Sequence, residues 1–139
     1  MAKFFKLEVV VPEREIFSEE VSFITVPGAA GEFGVLARHE PLVSILKPGA
    51  FLVAQGAARK FYFVSGGFIE VTPASTTVLA EEFEPVEEIN VEQEEKARKK
   101  ALEKLAKSKD PVEKDAARAI LARAQARLAT VKIAKGPSQ

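Results

Sequence analysis

The sequence contains no cysteine, so neither a disulfide framework nor a thiolate metal site can hold it together. That fits a reducing compartment. Its one histidine, His39, has no second histidine or cysteine to share an ion with, which argues against a zinc or general-base role. No apolar run is long enough to cross a bilayer. The opening Met-Ala-Lys-Phe-Phe-Lys places two lysines before an alternating pattern, which predicts no signal peptide, and the lack of an Arg/Ser-rich leader favours a bacterial over a mitochondrial source. No Ser/His/Asp set and no paired carboxylates in a plausible cleft can be found, so an enzyme is the least supported class.

Net charge is also absent, but the zero hides an asymmetry. Residues 1–90 carry seven Lys/Arg and thirteen Asp/Glu, and residues 91–139 carry thirteen and seven. After Asp115 no acidic side chain remains, while Arg118, Arg123, Arg127, Lys132 and Lys135 follow. A tail of that kind prefers an acidic partner. A length of 139 residues suits one domain with a core, or a smaller domain with an appendage.

What is present in the first part is strand pattern. Phe4 to Val11 alternates, and Pro12 closes it. Glu13 to Ser18 and Val21 to Val26 read as two further short strands, ending at Pro27-Gly28. The stretch from Pro27 to Gly49 concentrates glycines, prolines and His39 around the brief apolar runs Val35-Leu36 and Leu42 to Leu46, which predicts tight turns between short strands. Phe51 to Ala54 and Lys60 to Val64 flank Gln55-Gly56-Ala57-Ala58 as a hairpin, and Phe68 to Val71 and Thr76 to Ala80 complete roughly ten strands of a β-sandwich or barrel.

The acidic stretch Glu81 to Glu88, broken by Pro85, then marks a boundary, and the acidic run from Glu81 to Glu95 reads as a solvated hinge. It divides the chain into a β-sandwich over residues 1–86 and a helical part over residues 87–139. Asn90 caps a first helix, with Gln93 as the reciprocal partner of a capping box. Ala97, Ala101, Leu102 and Leu105 form its narrow apolar edge. Asp110-Pro111-Val112-Glu113 starts a second helix, along which Ala117, Ile120, Leu121, Ala124, Leu128 and Val131 recur until Gly136-Pro137 stops it. The helices must lie antiparallel. Their large apolar side chains are few, so the hairpin needs a docking surface and can leave it.

These residues carry a family resemblance. Pro-Gly-Ala-Ala-Gly-Glu-Phe-Gly-Val-Leu-Ala-Arg-His-Glu-Pro-Leu, then Leu-Lys-Pro-Gly, Phe-Val-Ser-Gly-Gly-Phe-Ile-Glu-Val and Thr-Val-Leu-Ala before a charged hairpin resemble the epsilon subunit of bacterial F-type ATP synthases over nearly the whole chain. The resemblance implies a non-catalytic rotor subunit, peripheral on the cytoplasmic face of the cell membrane. Its ten-stranded sandwich would grip the gamma subunit and rest on the c-ring. Its two-helix hairpin would fold against the sandwich or extend between the alpha and beta subunits and restrain ATP hydrolysis.

By position, the resemblance implies Glu32 and His39 as c-ring contacts, Ser65-Gly66-Gly67 as the turn beside the helices, and Arg118, Arg123, Arg127 and Lys132 as contacts for an acidic loop of the beta subunit. Some members bind ATP through an Ile/Leu-Asp-x-x-Arg-Ala motif and later arginines. Here Ile89, Arg123 and Arg127 stand in matching positions, but Asn90, Gln93 and Glu94 replace the Asp, Arg and Ala. Losing the arginine and adding Glu94 implies weak ATP binding or none, and no cofactor.

Other readings stand beside this one. Gly28, Gly31 and Gly34 superficially resemble a phosphate loop, but no Lys-Ser/Thr follows, so turns or bulges needing positive φ account better for them. The acidic run lacks calcium-loop spacing. The basic second helix is open between a solvated face, a nucleic-acid helix and a protein-binding helix on charge alone. A β-sandwich nucleic-acid- or ligand-binding module with a basic helical tail is therefore the alternative, weakened by zero net charge and by the scarcity of exposed aromatics.

Overall fold

The computed structural model describes residues 3–12 and 14–136. The strands are β1 (Phe5–Val11), β2 (Arg14–Val21), β3 (Phe23–Gly28), β4 (Gly31–Leu36), β5 (Leu42–Leu46), β6 (Gly49–Gln55), β7 (Ala58–Val64), β8 (Gly67–Val71), β9 (Ser75–Ala80) and β10 (Phe83–Pro85). A 3-10 turn (Val86–Glu88) leads to helices α1 (Val91–Lys107) and α2 (Pro111–Ala134). The expected fold, a ten-stranded β-sandwich followed by a helical hairpin, is the one observed. Glu13, read as a strand start, and Pro137, read as part of the helix stop, lie outside the described residues.

Hydrogen bonding runs through one curled sheet in the order β10-β7-β6-β3-β5-β8-β9-β1-β2, with β4 paired to β3. The alternation that marks each strand decides what it buries. Phe5, Leu7 and Val9 of β1 join Ile24, Val26, Phe51, Val53, Tyr62, Val64, Ile69, Val71 and Val78 in a core drawn from both layers. Phe51, Tyr62 and Phe83 add edge-to-face and stacked ring contacts.

The glycine-rich segment is more regular than its composition suggests. It forms a β3–β4 hairpin in which Gly28 faces Gly31 and Gly34 faces Thr25. Of its three spaced glycines only Gly31 has positive φ, at 143°. Gly28 and Gly34 are needed for space instead: a Cβ on Gly28 would meet the Gly31 carbonyl at 2.6 Å, and one on Gly34 the Phe23 ring at 2.9 Å. Gly67, at the start of β8, is the tightest point, because a Cβ there would lie 2.0 Å from the Leu79 carbonyl on a backbone with φ +140°. Gly67→Ala is expected to cost about 3 kcal/mol or more and break the β8–β9 pairing; urea unfolding measures it.

The acidic stretch corrects the hinge reading. Phe83–Pro85 is strand β10, paired with β7, and Phe83 is buried, so the sandwich edge continues through this run. Helix starts match their signals more closely. Asn90 Oδ1 accepts from the Gln93 N–H at 3.1 Å, although the Gln93 side chain makes no return bond, so only half of the capping box forms. Asp110 Oδ1 accepts from the Val112 N–H at 2.9 Å, with Pro111 in the first turn.

Candidate functional site

Alternation leaves side chains on the outer faces of both layers, and the two outer faces differ. On β6 and β7 the core takes Phe51, Val53, Tyr62 and Val64, so Leu52 and Phe63 point the other way. Phe63 is nevertheless fully buried, and Leu52 nearly so, because α2 packs across β6 and β7. Against α1, α2 buries Ala117 and Ala124, small residues that let the two helices approach closely.

Charge holds this contact in register. Arg123 of α2 donates from Nε and Nη2 to the two Glu82 oxygens at 2.9 and 2.6 Å, a bidentate pair. One helical turn on, the Arg127 side chain is only 7% exposed, its guanidinium 5.1 Å from the centroid of the Phe63 ring. Its Nη1 lies 2.6 Å from Glu84 of β10, and its Nε lies 3.0 Å from the buried carboxylate of Glu94 on α1. Arg127 therefore joins three elements. The turn called beside the helices contributes too: Ser65 Oγ accepts from the Glu82 N–H at 2.8 Å and steadies the carboxylate that Arg123 grips.

The Arg123 hydrogen bonds hold the Glu82 carboxyl below its ordinary value of 4.5, outweighing burial, which pushes the other way. The same pair raises Arg123. Because the folded value of Glu82 is depressed, its contribution to docking is complete above the unfolded carboxylate value and is lost as pH falls through the folded one. Acidification below about pH 4.5 is expected to speed amide exchange in α2 before it does so in the central strands, and Glu82→Gln should flatten that dependence.

The second outer face is uncovered. Ile45 pairs with Phe68, Phe68 with Leu79 and Leu79 with Val10, so four neighbouring strands, β5, β8, β9 and β1, place these side chains in one row. Ile45, Phe68 and Leu79 are each more than half exposed, as is Val43 in the next row. A contiguous apolar patch on a solvent face marks an interaction surface.

Of the residues expected to act together, Glu32 and His39 are not brought together. Glu32 is exposed in β4 beside the hairpin turn, not in a loop. His39 lies beyond the other end of β4, its Nδ1 2.7 Å from the Glu40 carbonyl. The residues from 32 to 36 alone span roughly 14 Å of strand. Arg118 pairs with Asp115 on the exposed side of α2, and Lys132 is exposed, whereas Arg123 and Arg127 face the sandwich. Ile89 is buried.

Glu82, Glu84 and Glu94 are the residues that sequence reasoning missed. Glu82 and Glu84 are two apart at a strand, hence on one side, and the opposite charges of the two parts of the chain were the available signal that they pair with each other. Among the described residues no group of three or more His, Asp or Glu could hold a metal.

The match to the family model described as the ATP synthase delta/epsilon chain β-sandwich domain covers residues 4–86. The ATP synthase epsilon chain of Nitratidesulfovibrio vulgaris is 41% identical over 128 residues, covering 92% of this chain and 96% of that one. The epsilon chain of Syntrophobacter fumaroxidans is 42% identical over the same shares. Among solved structures, a chain of the Euglena gracilis mitochondrial ATP synthase (OSCP/F1/c-ring, rotational state 1) superposes with a TM-score of 0.83 at 30% identity, over 95% of this chain and 81% of that one. The chain belongs to the ATP synthase epsilon-chain family, whose members are non-catalytic stalk subunits of that complex.

Proposed function

We propose that the chain couples the gamma subunit to the c-ring of a proton-translocating F-type ATP synthase and that its hairpin restrains ATP hydrolysis. The observation that carries this reading is the division of labour between the two outer faces. One sheet offers the row Ile45-Phe68-Leu79-Val10 uncovered, while the other is covered by a hairpin of opposite charge. The apolar row is the gamma contact in this reading, and Glu32 at the exposed β3–β4 tip is the c-ring contact. His39 would need a separate contact on the ring, a strand's length away.

The subunit sits at the cytoplasmic face of the bacterial cell membrane, peripheral to it, with alpha and beta as the hairpin's further partners. No described helix is long and apolar enough to cross a membrane. The boundary between the anchoring and regulatory parts falls at residues 86 and 87. The Arg123 and Arg127 guanidinium groups already meet three carboxylates, which supports weak ATP binding or none. Calorimetry on the isolated chain is expected to give no submillimolar ATP affinity.

The sandwich core draws only on residues 5–83, so a chain ending at Glu88 retains it. Added to the alpha-beta-gamma complex stripped of this subunit, the full chain is expected to bind and slow ATP hydrolysis, and the shortened chain to bind without slowing it. Equal slowing by both would refute the assigned role of the hairpin, and binding by neither would refute the rotor assignment.

A further inference from the structure

We propose that the groove between the two free edges of the curled sheet is a docking site for an extended, lysine- and arginine-rich segment of another protein, which adds to β2 as a strand. The site is separate from the apolar row and does not depend on the role assigned to the hairpin.

The sheet ends in β10 on one side and β2 on the other, and these two strands do not pair with each other. Past the end of β2 the gap is bridged. The Ser22 N–H donates to the Ala54 carbonyl at 2.8 Å, and the Gln55 side chain donates to the Glu20 carbonyl at 2.9 Å. Toward the start of β2 the edges part and leave a groove of about 620 Å³. Side chains alone link the two edges there: Phe17 of β2 meets the Tyr62 ring edge-on, and Tyr62 stacks on Phe83 of β10. Because β10 has three residues and ends in Pro85, which has no N–H, β2 is the edge able to take a partner. The bonded Glu20 carbonyl shows which way this edge offers its backbone groups, and strand alternation turns those of Ser18 the same way.

The lining specifies the partner. Glu15, Glu81 and Glu88 are exposed at the groove and pair with no cation among the described residues, and Arg14 is the single cation in the described lining. Glu82 and Glu84 also reach it but are neutralised by Arg123 and Arg127. Between the rims lies Tyr62, 9% exposed, whose hydroxyl has no hydrogen-bond partner among the described residues. Burial, then Glu19 and Glu87, push its phenol up, so it keeps a proton to donate to an incoming carbonyl.

A second copy is the wrong occupant, because its β2 carries the same Glu15, Glu19 and Glu20, and like charges across paired strands repel. The same carboxylates repel nucleic acid. A strand with Lys or Arg at alternate positions instead sets its cations against the glutamate rims and its backbone against β2. Residues 14–17 span about 10 Å of edge, which suits about three or four residues of added strand.

The test adds an end-blocked peptide, Thr-Lys-Val-Lys-Val-Lys-Thr, to the full chain at low salt. Saturable binding is expected, with amide exchange slowed about tenfold within residues 14–18 and unchanged in α2. Glu15→Lys combined with Glu88→Lys should weaken binding about tenfold, whereas Glu103→Lys, an exposed charge outside the groove, should not. Tyr62→Phe, which keeps the stacked ring, should weaken it about fivefold. N-methylation of alternate peptide amides, with charge unchanged, should abolish it.

Absence of saturable binding would overturn the site, as would binding indifferent to the paired Glu15 and Glu88 reversals. Equal binding of the N-methylated peptide, or equally strong displacement by spermine, would show that charge alone is read and overturn strand addition. Self-association of the free chain through β2 would make a second copy the occupant and overturn the choice of partner.

Discussion

Phe68→Glu is expected to weaken assembly with the gamma-containing complex at least about 100-fold in Kd, while moving the Tm of the free chain by only a few degrees. Phe68 sits between Ile45 and Leu79 in the uncovered row and is 54% exposed. Losing it removes cross-strand pairs worth about 0.2–1 kcal/mol each from the free chain, which the sandwich core survives. In an interface the balance is different. The exposed half of each apolar side chain offers roughly 1 kcal/mol on burial, and a carboxylate put in the middle must be desolvated without a partner at a cost of several kcal/mol. Pull-down with gamma, compared with a variant at Phe4 outside the row, measures this. Undiminished binding would remove the apolar row from the rotor interface.

Phe63→Ala is expected to undock the hairpin at a cost of about 3–5 kcal/mol and leave the sandwich folded. Phe63 is fully buried, yet it points away from the core, so its burial depends on α2 and its loss creates a hole under the helix. The same change removes the ring over which the Arg127 guanidinium sits, so Arg127 faces Glu84 and Glu94 without its apolar platform. Trypsin gives a direct readout, because residues 91–139 carry thirteen Lys/Arg. Cleavage confined to the hairpin, with residues 5–83 resistant, is the expected pattern. Loss of the sandwich as well would mean that the two parts unfold as one unit.

Which of these features the sequence announced follows from which of them are local. Strand alternation, the Gln55-Gly56-Ala57-Ala58 turn and the Asp110-Pro111 helix start are decided by near neighbours, and each appears in the structure at its expected place. The β3–β4 hairpin was partly concealed, because Gly28 and Gly34 are present for space, and which atoms crowd a missing Cβ depends on the strand alongside. The outward apolar row was legible in principle. Phe68 shares a face with Glu70 and Leu79 with Thr77, so an apolar residue on the polar face of an alternating strand was visible, but that the outliers align depends on register across four strands.

The ion-pair cluster lay furthest from view. An arginine in a basic helix is expected to be solvated, and only docking buries Arg127. Glu82 and Glu84 read as part of a solvated hinge because a strand of three residues, the last of them Pro85, leaves almost no periodic signal.

Because the chain has no cysteine of its own, one cysteine on α2 and one on the sandwich edge, placed beside the Arg123–Glu82 contact so that both of those residues are kept, can be bridged by a cleavable bis-maleimide before the chain is added to the complex. Hydrolysis by the alpha-beta-gamma complex carrying that bridged chain tests most directly whether one sheet anchors while the hairpin, once released from the other, brakes. The predicted result is unslowed hydrolysis with the subunit bound while the bridge is intact, and slowed hydrolysis after the linker is cleaved. Full slowing with the bridge intact would contradict it.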